Sequence, residues 1–189
     1  MSTAVTQHQM VEGWAGSHWQ LDRAQSSAEF RVEHFWGLIT VAGHFDRFDG
    51  TLDVDADGTP LIALTIDAAS LDTGNATRDR HLRSVDFFAV TEHPEVHFNS
   101  SDVTDTDDGV LQVSGELEAA GKRIPISADA RLRPLDQQTI EIEATATADH
   151  RQLGMTWSPL GMLRPPATLH VKARLARRTN TASAGGDRQ

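Results

Sequence analysis

The sequence predicts an all-β fold, an antiparallel barrel of about eight strands with a short helical cap between two of them. Three observations predict it. Apolar and polar residues alternate with a period of two through most of the chain, the pattern of strands with one wet face. Short turns bearing Gly and Asp separate the alternating runs, as at residues 55–58 and at Ala120-Gly121-Lys122. One long interruption, residues 67–100, breaks the alternation and calls for a different structure there.

Residues 1–16 read as a flexible tail, small and polar. From Ser27, Ala28, Phe30, Val32 and His34 share the inward face, and Glu29, Arg31 and Glu33 the outward one. His34 is then either a core histidine bonded to a neighbour or a contact for something held inside. Val41, Gly43 and Phe45 follow on one parity, while Phe48, Gly50, Leu52 and Val54 take the other. A bulge or sharp bend between Phe45 and Phe48 restores all of them to one side. After the 55–58 turn, Ile62, Leu64 and Ile66 return as the next strand.

The interruption holds a turn at Gly74 and Asn75 and then about two turns of predicted helix over residues 77–83, with Thr77 as N-cap and Asp79 in the first turn. Leu82, Val85 and Phe88, three apart at each step, offer an apolar edge. Arg78, Arg80, His81 and Arg83 make the other edge basic in a chain of net charge −10. Those arginines either fix the loop by pairing with Asp72, Asp79 and Asp86, or meet a polar or anionic head group at a cavity mouth.

Beyond the cap, Val96 and Phe98 point inward, residues 105–109 turn, and Leu111, Val113, Gly115, Leu117 and Ala119 continue the inner face. Three more runs complete the wall: Ile124, Ile126, Ala128, Ala130 and Leu132; Ile140, Ile142, Ala144, Ala146 and Ala148; Ala167, Leu169, Val171, Ala173 and Leu175. A solid barrel fills its interior with Leu, Ile and Phe, so this row of alanines predicts a cavity, unless the barrel narrows there or other segments fill the space. Between the last two runs, residues 152–166 carry Met155, Trp157, Leu160, Met162 and Leu163, which either plug one end or form an apolar rim. Residues 179–189 read as a disordered tail, leaving residues 17–178 as a single domain.

Composition narrows the chemistry. The absence of cysteine removes disulfides and thiolate nucleophiles, and with no signal h-region or membrane-length apolar run the chain reads as cytoplasmic. Its acidic balance disfavours nucleic acid and allows at most transient contact with a membrane. His93 and His97 resemble a metal pair, but in an extended segment they stand about 13 Å apart, so no metal is expected. No serine lies in a G-x-S-x-G context, no Gly-rich phosphate loop is present, and the polar turn over residues 102–108 lacks the Gly and Glu of a calcium loop.

Taken together the motifs resemble the YceI-like polyisoprenoid-binding family from Trp19 to about Leu175. The most specific are Ser70-Leu71-Asp72-Thr73-Gly74, then Arg78-Asp79-x-His81-Leu82-Arg83-Ser84-x-Asp86-Phe87-Phe88, and His93-Pro94 with Phe98 and Ser100. Trp19-x-Leu21-Asp22, Phe30-x-Val32-x-His34, Val41-x-Gly43-x-Phe45, Gly115-x-Leu117 with Gly121, and Arg151-x-x-Gly154 add support. The resemblance implies a barrel of extended lipocalin type that carries or stores a long isoprenoid or other amphipathic lipid and is not an enzyme. The expected ligand contacts are Phe30, Val32, His34, Phe45, Arg78, Asp79, His81, Arg83, Phe87, Phe98, Ala144, Ala146 and Trp157. No cofactor is expected beyond a bound isoprenoid or quinone-like lipid, and a homodimer is compatible with this reading. Two departures matter: Gln25-Ser26 stands where the family usually has His-Ser, and the export signal of many relatives is missing. Two alternatives stay open. One is an enzyme acting on a lipid-like substrate, with His34, Asp79 or His81 as acid or base; the other is a stress-related structural or interaction module without ligand.

Overall fold

A computed structural model describes residues 13–34, 39–106, 109–155 and 166–178. Among these, the strands are β1 (Ser17–Leu21), β2 (Ser27–His34), β3 (Ile39–Phe45), β4 (Phe48–Val54), β5 (Pro60–Asp67), β6 (Leu71–Asp72), β7 (Glu95–Asp105), β8 (Leu111–Ala119), β9 (Lys122–Pro134), β10 (Thr139–Ala148) and β11 (Ala167–Arg177). One helix, α1 (Ala76–Leu82), lies between β6 and β7. Pairing is antiparallel, and the order β1-β4-β5-β7-β8-β9-β10-β11 closes on itself through β1 and β11.

Eleven segments and an eight-stranded barrel are consistent because two long strands are each broken in the middle and the two-residue β6 only adds to the edge of β3. β1 pairs with residues 175–177 of β11 and β2 with residues 168–172, so β1 and β2 follow one edge in succession. Between them Ser26 Oγ accepts from Arg174 N at 2.9 Å, and Gln25 Oε1 accepts from the Arg174 guanidinium at 3.2 Å. β3 and β4 are likewise one strand bent at Asp46 and Arg47, with Phe45 and Phe48 both buried, so the expected phase slip is a real bend. The bend is pinned from inside: Ser70 O accepts from Asp46 N, and Ser70 Oγ accepts from Arg47 N at 3.0 Å. An ion pair of 2.8 Å between Arg47 and Asp67 braces the same corner, holding the Asp67 carboxyl below its ordinary pKa.

The cap departs from expectation in two ways. Its N-cap is Asn75 and not Thr77: the Asn75 backbone is extended, and its Oδ1 accepts from Thr77 N and Arg78 N at 3.1 Å each. Helix α1 ends at Leu82, so Val85 is not on its apolar edge and stands 76% exposed, while Leu82 and Phe88 do pack against the core.

One end of the barrel is filled by large side chains, with a void among them too small for a ligand. Trp19, Val54, Val103, Leu111, Leu132 and Ile140 meet there, all buried, each contributing about 1.5–3 kcal/mol by its removal from water. Trp14 covers Trp19 with ring centroids 5.0 Å apart, and Gly16 N donates to Val54 O at 2.8 Å. Residues 14 and 16 therefore belong to the fold, not to the expected tail; residues 1–12 and 179–189 lie outside the described residues. No helix among the described residues is long and apolar enough to cross a membrane.

Candidate functional site

Above the floor the barrel encloses a cavity of about 820 Å³, within the size range of small-molecule sites. The expectation of empty space beside the alanines is met geometrically. Ala144 lies opposite Ala130 on β9 and Ala146 opposite Ala128, while Ala148 faces Ala167 on β11. Small side chains therefore sit next to one another across three strands, leaving a broad recess where a random mix of sizes would have left scattered pits. The wall formed by β4, β5 and β7 carries larger groups: Leu52, Ile62, Leu64, Ile66, Val96 and Phe98.

Two rings lining the cavity are seated on glycine. Phe30 pairs with Gly43 across β2 and β3, and a Cβ at Gly43 would stand 2.6 Å from the Phe30 ring. Similarly, a Cβ at Gly115 would stand 2.8 Å from the Phe98 ring. The missing side chains let both aromatics lie flat along the wall, the arrangement in which an aromatic covers a neighbouring strand glycine. Phe30 continues into a ladder of rings, Phe30 to Phe45 at 5.5 Å and Phe45 to Phe88 at 6.0 Å, which joins the wall to the cap.

At the cap end the lining becomes mixed. Leu82, Phe87 and Phe88 contribute apolar surface, Asn75, Thr77, Arg78 and His81 contribute polar groups, and His150, Leu153 and Met155 approach from beyond β10. The His81 ring meets Phe87 edge-on at 5.2 Å. Arg78 is held in place by donating from Nε to Thr73 Oγ1 at 2.7 Å and from Nη2 to Thr73 O at 2.8 Å. The turn that carries His150 is rigid for a similar reason. Arg151 grips the Asp149 carboxylate with both Nε and Nη2, at 3.0 and 2.8 Å, and holds that carboxyl down to about 2.

Of the expected contacts, Phe30, Val32, Phe45, Arg78, His81, Phe87, Phe98, Ala144 and Ala146 line the cavity. Asp79 and Arg83 do not. Asp79 is buried and accepts from Thr73 N at 3.0 Å and Thr73 Oγ1 at 2.5 Å, closing an Arg78–Thr73–Asp79 chain. Arg83 donates to Ala69 O at 2.9 Å and also to Leu71 O, tying α1 to the segment that leaves β5. Both residues shape the cap, and neither arginine uses the Asp partners considered for it. The side chain of His34, like Trp157, Leu160, Met162 and Leu163, lies outside the described residues. Leu153 and His150 were missed, since nothing in the polar run Asp149-His150-Arg151 signals an inward turn. His93 and His97 go separate ways: a Cβ at Gly121 would touch the His93 ring, while His97 meets Thr65 Oγ1 and Glu95, each at 3.3 Å.

Comparison with known proteins gives a consistent picture. A family model described as the YceI-like domain matches residues 19–175. A UPF0312 protein of Pectobacterium carotovorum is 34% identical over 134 residues, 69% of each chain. Protein YceI of Shigella flexneri is 36% identical over 105 residues, 54% of each. The chain spans 57% of the length of a similar UPF0312 protein of Vibrio cholerae. Among solved structures, Burkholderia cenocepacia BcnA shares the fold with a TM-score of 0.73 at 17% identity, over 82% of this chain and 98% of that one. A polyisoprenoid binding domain from Saccharophagus degradans matches with a TM-score of 0.69 at 14% identity, over 85% and 98%.

Proposed function

Because the chain belongs to the YceI-like domain family, we propose that it binds one amphipathic lipid of isoprenoid type, tail in the barrel and head beneath the cap. It carries or stores that lipid and does no chemistry on it. The observation that carries this reading is the cavity itself: about 820 Å³ with a closed floor, apolar walls and its arginine and imidazole groups at one end. Such a shape suits a ligand with a long apolar part and a polar terminus. Burying each CH₂ gains about 0.8 kcal/mol, which drives the tail inward. The binding of a polyisoprenoid by the Saccharophagus domain supports the same class of ligand.

The head-group half of the proposal rests on Arg78, which lines the cavity, and not on Arg83, which does not. Arg78→Gln should weaken geranylgeranyl pyrophosphate by about tenfold to a hundredfold, the loss of a hydrogen bond to a charged group, and barely change geranylgeraniol. Arg83→Gln should instead lower the unfolding temperature and affect the two lipids alike. Calorimetric titration of both variants with both lipids distinguishes these outcomes. Equal losses of the two lipids in Arg78→Gln would place the head group elsewhere.

A further inference from the structure

Resting on the lipid-carrying reading for the choice of a bilayer as partner, we infer that the outer face of β9, β10 and β11 is a docking surface for an anionic membrane. The chain carries 17 Lys and Arg against 27 Asp and Glu, yet this face reverses the balance. Cross-strand register sets Arg133, Glu141 and Arg174 in one row and Arg131, Glu143 and Lys172 in the next. Glu141 is 7% exposed although it lies on the outward parity, because long cationic side chains from both neighbouring strands close over it. Arg133 Nη2 donates to it at 2.7 Å, while Lys172 Nζ lies 3.6 Å and Arg174 Nη2 3.7 Å away. One carboxylate thus gathers three cations and neutralises the charge of one. In the next row Glu143 is engaged by His170 at 3.1 Å, and Arg131 is exposed with no ion-pair partner among the described residues.

An acidic wall stands behind this basic one. β10 and β5 are four strands apart in the ring of eight, on opposite sides of the barrel. Beside β5, the strand β4 and the turn after it carry Asp49, Asp53, Asp55 and Asp57, and β7 carries Asp102. Facing β walls stand about 10 Å apart, and the Debye length is about 8 Å at physiological ionic strength. A surface that touches β10 therefore feels the cations beside it and little of the carboxylates behind, whatever the net charge of −10 does at long range. The outward residues of the two rows include no Trp or Phe on which a nucleic-acid base could stack. A convex sheet face with charge alone suits a partner that offers many anions in no fixed register. An anionic bilayer is such a partner, and it is where a long prenyl lipid lies before a carrier takes it up. A second copy presenting its acidic wall would instead bind head to tail, a contact that does not close and leads to open filaments.

The test is sedimentation with vesicles of phosphatidylcholine, alone or in equimolar mixture with phosphatidylglycerol. The protein should pellet with the anionic vesicles and not with the neutral ones, and binding should fall steeply as salt is added. Arg131→Gln and Lys172→Gln should each weaken the partition about fivefold, and together about 25-fold, the strength of a basic residue beside an anionic leaflet. Arg123→Gln removes the same charge from β9, but from a site between Glu116 and Glu118 at 3.5 and 3.0 Å, and should change little. Should Lys172→Gln disturb the cluster around Glu141, Arg131→Gln alone carries the comparison. Equal pelleting with both kinds of vesicle, or with neither, overturns the docking surface. So does a loss in Arg123→Gln as large as that in Arg131→Gln, and so does salt-dependent self-association in place of vesicle binding. Uptake of geranylgeraniol, read by displacement of a fluorescent apolar probe, should be the same in all these variants. A protein that takes up geranylgeraniol and ignores the vesicles loses the surface and keeps the lipid-binding reading. One that takes up none overturns that reading, while sedimentation decides the surface by itself.

Discussion

Ala144→Phe should give a folded barrel that has lost about twentyfold in affinity for prenyl lipid, and a few hundredfold when combined with Ala146→Phe. The added ring carries six carbons into space that the tail would occupy, and at about 0.3 kcal/mol per ligand atom displaced that is about 1.8 kcal/mol. Ala144 and Ala146 both line the cavity, and their nearest cross-strand neighbours on β9 are Ala130 and Ala128, so no large side chain is struck on that side. Phenylalanine suits a strand and an apolar surround, so the unfolding temperature should hold or rise. Had these alanines been packed tightly, the same change would overpack the core at a cost of about 1–3 kcal/mol. A destabilised variant that still binds lipid would remove the cavity as the binding site.

Gly115→Ala should be the most damaging small substitution in the wall, at about 2–3 kcal/mol, or about 5–10 °C in unfolding temperature. Its Cβ would collide with the carbonyl oxygen of Asn99, and backbone in a paired strand cannot rotate away. The ladder is already irregular there, with a register shift between Ser100 and Asp102. Gly43→Ala makes the informative contrast, because its collisions are with side chains only, the Phe30 ring at 2.6 Å and Thr73 Cγ2 at 2.8 Å. Trimming the ring in Gly43→Ala with Phe30→Leu should recover stability, whereas Gly115→Ala combined with Phe98→Leu should not. Thermal unfolding of the four variants decides it. Rescue at both glycines would mean that the Asn99 carbonyl yields.

These two variants also mark what the sequence made legible. Period-two alternation placed Ala128, Ala130, Ala144 and Ala146 inward because a strand has only two faces, and the phase slip at Phe45 and Phe48 forced a bend that the structure shows. The cavity was legible for the same reason, as a row of small residues on a face that should be filled. Less visible was what depends on the path of the chain between strands. Arg78 and Arg83 look alike in sequence, yet only the return of the chain through residues 69–71 supplies the carbonyls that engage Arg83. Asn75 and Thr77 are both competent caps, and the extended backbone at Asn75, following the left-handed turn at Gly74, decides between them. Val85 looked apolar by spacing, but a three-residue step has meaning only while the helix lasts, and α1 stops at Leu82. The sequence likewise gives no sign that Asp149 and Arg151 lock a turn aiming Leu153 and Met155 into the cavity.

Native mass spectrometry of the protein released gently from its own host tests the lipid-carrier account most directly. The account predicts one lipid per chain, a long apolar tail on a polar head, lost on collisional activation and missing from the Ala144→Phe, Ala146→Phe double variant. A chain that arrives empty and takes up no geranylgeranyl pyrophosphate when offered it would contradict the account. So would a lipid retained equally by the filled double variant.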